Sequence, residues 1–145
     1  MTIAGVGSDR RLVRAGLALI VIVCGLALRG YYGFQLGLPA FVVKYGGSLL
    51  WATMVFFLIG AALPRLTRRD AALIASAVAI IVELSRLIHT PWLDAFRLTL
   101  AGALLLGRVF SVWNMVAYGV GILFGAWLDW LISKRTTRAT DRAVE

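Results

Sequence analysis

Five ionisable side chains fall within the stretch "IVELSRLIHTPWLDAFR" (residues 81–97), although the chain around it is almost uniformly apolar. They are Glu83, Arg86, His89, Asp94 and Arg97. A carboxylate in apolar surroundings can serve as a general acid or base, and arginines can hold an anionic head group. A metal is not expected, because the single histidine has no second ligand motif near it. The stretch therefore predicts a polar cluster without a metal or cofactor.

Glu83 is the deepest of these groups in its apolar segment. It lies twelve residues beyond Ala71, where an uncharged run begins, and this is about 18 Å at about 1.5 Å per residue. A charge at bilayer depth costs about 2.5–3.5 kcal/mol, so Glu83 should face the bundle interior and pair with Arg86. Two interpretations stay open: a structural ion pair that orients helices, or part of a functional site.

A second stripe of polar and small residues follows further along the chain. Asn114, Tyr118, Gly121 and Gly125 recur at i, i+4, i+7 and i+11, which is one face of a helix. Gly121 and Gly125 form a GxxxG step that allows a second backbone to approach closely. The stripe is either a packing face with polar contacts or the wall of a pocket, and both interpretations require it to point inward.

The predicted polar cluster also takes in residues at the ends of neighbouring segments. Together its members form the candidate site, and their catalytic role, if any, is left unassigned. They are Glu83, Arg86, Arg97, Arg108, Asn114, Tyr118, Arg29 and Ser48.

The composition indicates an integral membrane protein. The chain is 61% hydrophobic and 15% charged, with a mean hydropathy of +0.88, whereas a soluble domain carries about 25% charged residues. Four apolar runs meet the length of about 17–25 residues that a membrane helix needs. They cover residues 12–28, 45–63, 71–88 and 112–132. The apolar piece 98–107 is too short to cross and is predicted to be interfacial or half-inserted.

The basic residues predict the orientation of these spans. With four spans, one side receives ten Lys/Arg residues and the other side four, so the rich side should be cytoplasmic. Both termini then lie in the cytoplasm, and the 29–44 and 89–111 segments lie outside. Arg14, inside the first run, can extend its charge to the head groups. The net charge of +8 is thereby explained without nucleic-acid binding, which is not expected.

We therefore predict an all-α integral membrane four-helix bundle. Residues 1–133 form a single transmembrane domain, and residues 134–145 form a polar cytoplasmic tail that frays.

The sequence resembles a bacterial family of unknown function, numbered 2809 among such families. Arg29, Pro39 and five short motifs carry this resemblance: "YGGSLLWA" (45–52), "ELSR" (83–86), "PWLDAFR" (91–97), "LLLGRVF" (104–110) and "WNMVAYGVG" (113–121). It implies a small four-helix inner-membrane protein with no established activity. The chain departs from the family pattern at Ser48 and Asn114, where aspartate is usual, and at Arg86, where glutamine is usual.

The chain is also distantly similar to the VanZ-like family, which is associated with tolerance of glycopeptide antibiotics. That family places Glu-x-x-Gln at a helix end, then an arginine, then Asp-x-x-x-Asn-x-x-Gly on the next helix. This chain has the same spacing with some residue types changed. The first motif corresponds to Glu83 and Arg86, the arginine to Arg108, and the last motif to Asn114, Tyr118 and Gly121. The similarity implies a shared architecture, and a shared fold does not transfer an activity.

Two functions remain open from the sequence. The first is a non-enzymatic protein of the bacterial inner membrane that binds a lipid, an envelope component or a membrane-protein partner, or forms a homo-oligomer. The second is a membrane enzyme acting on a lipid-linked substrate, with Glu83 as acid or base and arginines holding an anionic head group. The sequence favours the first, because it contains no nucleophile–base pair, metal set or phosphate loop. A transporter would require paired broken helices in an inverted repeat, which are absent from the sequence.

Overall fold

The computed structural model of the chain describes residues 4–32, 37–107 and 109–144. Within these ranges every regular element is helical and no strand occurs, which confirms the predicted all-α class. The elements are α1 (Ala4–Ala27), which continues as a π-helical turn (Leu28–Tyr32), α2 (Ala40–Ala62), α3 (Arg68–Ser85), α4 (Pro91–Leu98), α5 (Leu100–Leu105) and α6 (Val112–Val144).

Several helix boundaries differ from the predicted spans, and two of these differences turn a predicted loop or tail into helix. α2 begins at Ala40, directly after Pro39, so Lys44 lies inside the helix and not in a loop. A proline at this position costs no helical hydrogen bond, because the first N–H groups of a helix have no intrahelical partner. α6 continues to Val144, so the backbone of the tail predicted to fray after Ser133 is helical.

Among the described residues, three segments are long and apolar enough to cross a membrane: Arg10–Gly30, Ala40–Ala62 and Val112–Lys134. These correspond to the first, second and fourth predicted spans. α3 is not among them, because its eighteen residues include four charged side chains. They are Arg68, Arg69, Asp70 and Glu83.

α2 and α6 form the central pair and run parallel. The Ser48 hydroxyl donates to Asn114 near one end, and Gly121 further along α6 lies against Leu49. A Cβ atom on Gly121 would fall 2.2 Å from the Leu49 carbonyl oxygen, so this contact depends on glycine. Thr53 strengthens it, because its hydroxyl donates to the Gly121 carbonyl at 2.8 Å.

α1 and α3 flank this pair and run antiparallel to it. α1 packs on α2, with Gly25 facing Leu50. α3 packs on both α2 and α6 through a stripe of alanines at four-residue spacing, which lets the helices approach closely. The stripe comprises Ala71, Ala75 and Ala79, all of them buried.

A buried network of ion pairs and hydrogen bonds joins four helices at one end of the bundle. The Arg14 guanidinium of α1 makes two bonds to the Asp129 carboxylate of α6, at 2.8 Å and 3.1 Å. It also donates to the Gly60 carbonyl of α2 at 3.0 Å, and Arg68 of α3 binds the same carboxylate at 3.0 Å. Sequence reasoning placed Arg14 among the lipid head groups, and that placement is wrong because its side chain is buried against Asp129.

The glycine contact between α2 and α6 predicts an asymmetric response to substitution. Gly121→Leu should destabilise the protein by about 1–3 kcal/mol or more, because the new side chain collides with the α2 backbone. Gly119→Leu, on an exposed face of the same helix with no atom within 4 Å of its Cβ position, should be neutral or slightly stabilising. Unfolding in detergent measures both, and equal stability of the two variants would contradict this packing.

Candidate functional site

Glu83 is fully buried at the end of the bundle opposite Asp129, and its carboxylate accepts three hydrogen bonds and forms one ion pair. Oε1 accepts from the Ser111 backbone N–H at 2.7 Å and from Asn114 at 3.2 Å. Oε2 accepts from the Tyr118 hydroxyl at 2.9 Å and pairs with Arg86 at 2.6 Å. A buried carboxylate needs such partners, since an unpaired one would be very costly.

These four contacts occupy the acceptor capacity of the carboxylate. An ionised carboxylate offers about four lone-pair sites, and the donors come from the end of α3, from the residue before α6 and from the first turns of α6. Glu83 therefore holds three parts of the chain together and orients the side chains that surround it. Both of its oxygens are engaged by groups of the protein itself.

Arg86 extends the network to the segment between α5 and α6. Its Nε donates to the Leu106 carbonyl at 2.6 Å and its Nη1 to the Val109 carbonyl at 3.2 Å. Nη2 donates to the Tyr118 hydroxyl at 2.9 Å. Gly107 lies directly on the guanidinium with a φ of 69°, and a side chain there would collide with Arg86 and be strained in the backbone.

Ser48 and Asn114 connect the network to α2. The Ser48 hydroxyl donates to the Asn114 side-chain oxygen at 3.2 Å, and the Asn114 amide donates to Glu83. Ser48, Asn114 and Arg86 thus belong to one network of hydrogen bonds and an ion pair around Glu83.

The structure brings five of the eight predicted cluster residues together and places two others elsewhere. Arg97 is buried at the end of α3, where it donates to the Ile88 and Ser85 carbonyls and to Asp94. It therefore caps a helix C-terminus, whose carbonyls lack intrahelical partners. Arg29 is exposed after α1, outside the hydrogen-bond network but at the edge of the cavity beside it, and Arg108 lies outside the described residues.

A cavity of about 890 Å³ opens beside the network, between α1, α2 and the 103–109 segment. Four network residues form one side of it, which we call the polar wall: Ser48, Arg86, Asn114 and Tyr118. The rest of the lining is mainly apolar and includes Val21, Leu26, Leu50 and Met54. A largely apolar cavity of this size with a few convergent polar groups is typical of a site for a small ligand.

Two cavity residues, Lys44 and Trp51, were missed by sequence reasoning. With Ser48 they recur at i, i+4 and i+7 along α2, which places them on one face. That spacing was a signal in the sequence, but it was hidden because Lys44 was assigned to a loop. Trp51 also packs against the Tyr118 ring, with 5.4 Å between ring centroids.

Cations dominate the ionisable groups that line the cavity. They are Arg29, Lys44 and Arg86, and no aspartate or glutamate is among the described lining residues. No group of three His, Cys, Asp or Glu side chains in the described part of the chain could hold a metal. The arrangement suits an amphiphile with polar or anionic groups.

The network predicts that its two charges are energetically coupled. Glu83→Gln should destabilise the protein by about 3–5 kcal/mol, because Arg86 is left buried without its counter-charge. Adding Arg86→Met should recover part of this loss, although the Leu106 and Val109 carbonyls then lack a donor. Unfolding in detergent measures both effects.

Asp70→Asn provides the acidic control, because the Asp70 carboxylate accepts an exposed hydrogen bond from the Thr67 hydroxyl and has no ion-pair partner among the described residues. We expect a change of at most about 1 kcal/mol there. If Glu83→Gln were as mild as Asp70→Asn, the Glu83 carboxylate would not organise this end of the bundle.

Comparison with known proteins identifies the family of the chain but finds no similar solved structure. No solved structure matches the chain. A family described as a protein of unknown function (DUF2809) matches residues 37–122, which is more than half of the chain and includes the whole hydrogen-bond network around Glu83. This confirms the resemblance noted from the sequence motifs: the chain belongs to the DUF2809 family.

Proposed function

We propose that this protein is a four-helix membrane protein that binds an amphiphilic ligand, a lipid or another envelope component, in the cavity beside Glu83. The observation that carries the proposal is the cavity itself, which combines apolar depth with the polar wall. The ligand would place its apolar part against α1 and α2 and its polar part along the wall. Binding, not catalysis, is the proposed activity.

The geometry of α3 supports its assignment as a fourth span. α2 and α6 run parallel, so the chain between them must return along the bundle, and α3 makes that return. Near the start of α3, Arg68 contacts Asp129 of α6. Fifteen residues further along α3, Glu83 contacts Asn114, which lies fifteen residues before Asp129 on α6. α3 therefore follows α6 over about 22 Å at about 1.5 Å per residue. Its other charges lie in its first turn, and Glu83 is buried, so none faces lipid at depth.

The outer surfaces of the bundle support a membrane setting for both flanking helices. Large apolar side chains are exposed on α1 and on α3, where a soluble protein would place polar ones. They include Leu19, Ile20 and Val23 on α1 and Ile80, Ile81 and Leu84 on α3.

The distribution of charge supports an orientation with both termini in the cytoplasm. The N-terminal part of α1, the turn between α2 and α3 and the later part of α6 meet at the Asp129 end. Ten of the fifteen Lys and Arg residues belong to these segments, and cytoplasmic segments are rich in Lys and Arg. The cavity then opens toward the outer side of a bacterial inner membrane.

Binding is favoured over catalysis by the position of Glu83. The alternative function, a VanZ-like enzyme acting on a lipid-linked envelope substrate, would use Glu83 as an acid or base. Glu83 does not line the cavity, and its oxygens are occupied by four donors. A general base must lie within hydrogen-bond reach of the proton it removes. Its neighbours Arg86 and Tyr118 face the cavity instead, which suits recognition of polar groups.

Reporter fusions test the four-span topology. A fusion at Leu38 should report the periplasmic side, and fusions at Leu66 and Asp141 should both report the cytoplasmic side. A fusion at Thr90, after α3, should agree with Leu38, because α3 crosses the membrane. If Thr90 agreed with Leu66, or if Leu38 and Asp141 reported the same side, the four-span arrangement would be wrong.

Blocking the cavity tests the binding function. Gly47 lines the cavity and has no atom within 4 Å of its Cβ position, so Gly47→Phe should fill the space without disturbing the bundle. We expect co-purified lipid, measured by native mass spectrometry, to fall about tenfold or more, which is about 1.4 kcal/mol or more of binding free energy. Gly16→Phe, also in open space on a helix but outside the cavity, is the matched control. Equal lipid content in the two variants would refute binding in the cavity.

A further inference from the structure

We propose that the ligand is an anionic glycerophospholipid, with its phosphate between Arg29 and Lys44 and an ester oxygen on the Trp51 indole. This inference rests on the proposed binding function and adds the chemical class of the ligand. Three features carry it: the unbalanced charge of the cavity mouth, the polar ladder along α2, and a buried donor without an acceptor.

The charge of the cavity lining is unbalanced at its mouth. Of the three cations, Arg86 is neutralised by Glu83 at 2.6 Å. Arg29 and Lys44 are exposed, and neither has an acidic partner within the described residues. Two uncompensated positive charges therefore stand at the entrance to an apolar cavity, and a lipid with a single negative charge complements them.

The chemistry of these two cations suits a phosphate group. An arginine guanidinium can bind two phosphate oxygens at once, and a lysine ammonium adds a point charge with several donors. Arg29 ends α1 on the π-helical turn, and Lys44 lies in the second turn of α2. Lys44 also lies over the Tyr45 ring at 5.1 Å, which positions the ammonium without using its hydrogen-bond donors.

The cavity face of α2 continues the polar contacts inward. Ser48 follows Lys44 by one turn, and Trp51 lies seven residues beyond Lys44, about 10 Å deeper at about 1.5 Å per residue. If the phosphate of a ligand lay at Lys44, the part of the ligand that follows the phosphate would extend into the cavity toward Trp51. In a glycerophospholipid that part carries ester oxygens, which are hydrogen-bond acceptors.

The Trp51 indole provides the donor for such an oxygen. Its Nε1 atom is buried and has no hydrogen-bond partner among the described residues. A buried donor of this kind is normally satisfied, and its lack of an acceptor in a cavity-lining residue calls for one from outside the chain. The ester group meets this need, whereas a lipid with a purely hydrocarbon body would leave the donor unpaired.

The first test measures the charge preference of the full-length protein in detergent by titration with defined lipids. Phosphatidylglycerol should bind about tenfold or more tightly than phosphatidylethanolamine or diacylglycerol with the same acyl chains. Arg29→Gln with Lys44→Gln should abolish this preference and leave diacylglycerol binding unchanged. Arg10→Gln with Arg11→Gln, at the opposite end of the bundle, should preserve it.

The outcomes separate this inference from the proposed function. If the three lipids bound equally and Gly47→Phe blocked the binding of each, the cavity would still be a lipid site, but the assignment of an anionic ligand would be wrong. No binding of any lipid would overturn both. Inorganic phosphate, titrated alone, should bind only weakly; if it displaced phosphatidylglycerol at equal concentration, the site would be one for free anions and the lipid assignment would be wrong.

A second test addresses the ester contact. Trp51→Phe retains an aromatic ring but removes the indole donor, so it should weaken phosphatidylglycerol binding severalfold. Dicetyl phosphate, an anionic lipid without carboxylic ester groups, should bind the variant and the parent equally. Equal weakening for both lipids would show that Trp51 contributes only packing, and the glycerophospholipid assignment would fail in favour of any anionic lipid.

Discussion

The structure depends on the burial of one carboxylate. Glu83 is fully enclosed, and a carboxylate without water must be surrounded by donors. Those donors come from the end of α3, from the residue before α6 and from two side chains on α6. Satisfying the carboxylate therefore fixes where α6 begins relative to α3. It also fixes the directions of Arg86 and Tyr118, which form much of the polar wall.

A second buried network provides the same constraint at the opposite end. Asp129 is bound by Arg14 and Arg68, so it ties α6 to α1 and α3, and Arg14 reaches α2 at Gly60. Between the two networks the buried face of α3 consists of alanines, which allow close approach but specify register weakly. Removing one partner from a buried ion pair is strongly destabilising. The two networks thus hold α3 and α6 in register, and the cavity keeps its shape because its polar wall belongs to one of them.

Much of the fold followed from local patterns in the sequence. Apolar run lengths predicted helices in the four main segments, and the depth of Glu83 in its run predicted that it faces inward. The spacing of Asn114 and Tyr118 predicted a shared face, and both residues contact Glu83. These inferences succeeded because helical periodicity and the cost of burying charge act within a single segment.

The features that the sequence did not predict depend on contacts between distant segments. Arg14 and Asp129 are separated by 115 residues, and nothing near either one indicates the other. The role of Arg97 as a helix cap requires the chain to turn back after α3, which its spacing from Glu83 does not reveal. The cavity arises from the way α1 and the 103–109 segment meet α2, and the early start of α2 brings Lys44 to its mouth.

The most direct test is an experimental structure of the protein in lipid nanodiscs, with a bound antibody fragment to aid its determination. We predict elongated ligand density inside the cavity, with its polar end near Arg29 and Lys44 and its side along Arg86 and Tyr118. Glu83 should remain covered, with its four donors in place. A cavity without such density, or a ligand in direct contact with the Glu83 oxygens after displacement of Tyr118, would contradict a binding site organised by a buried carboxylate.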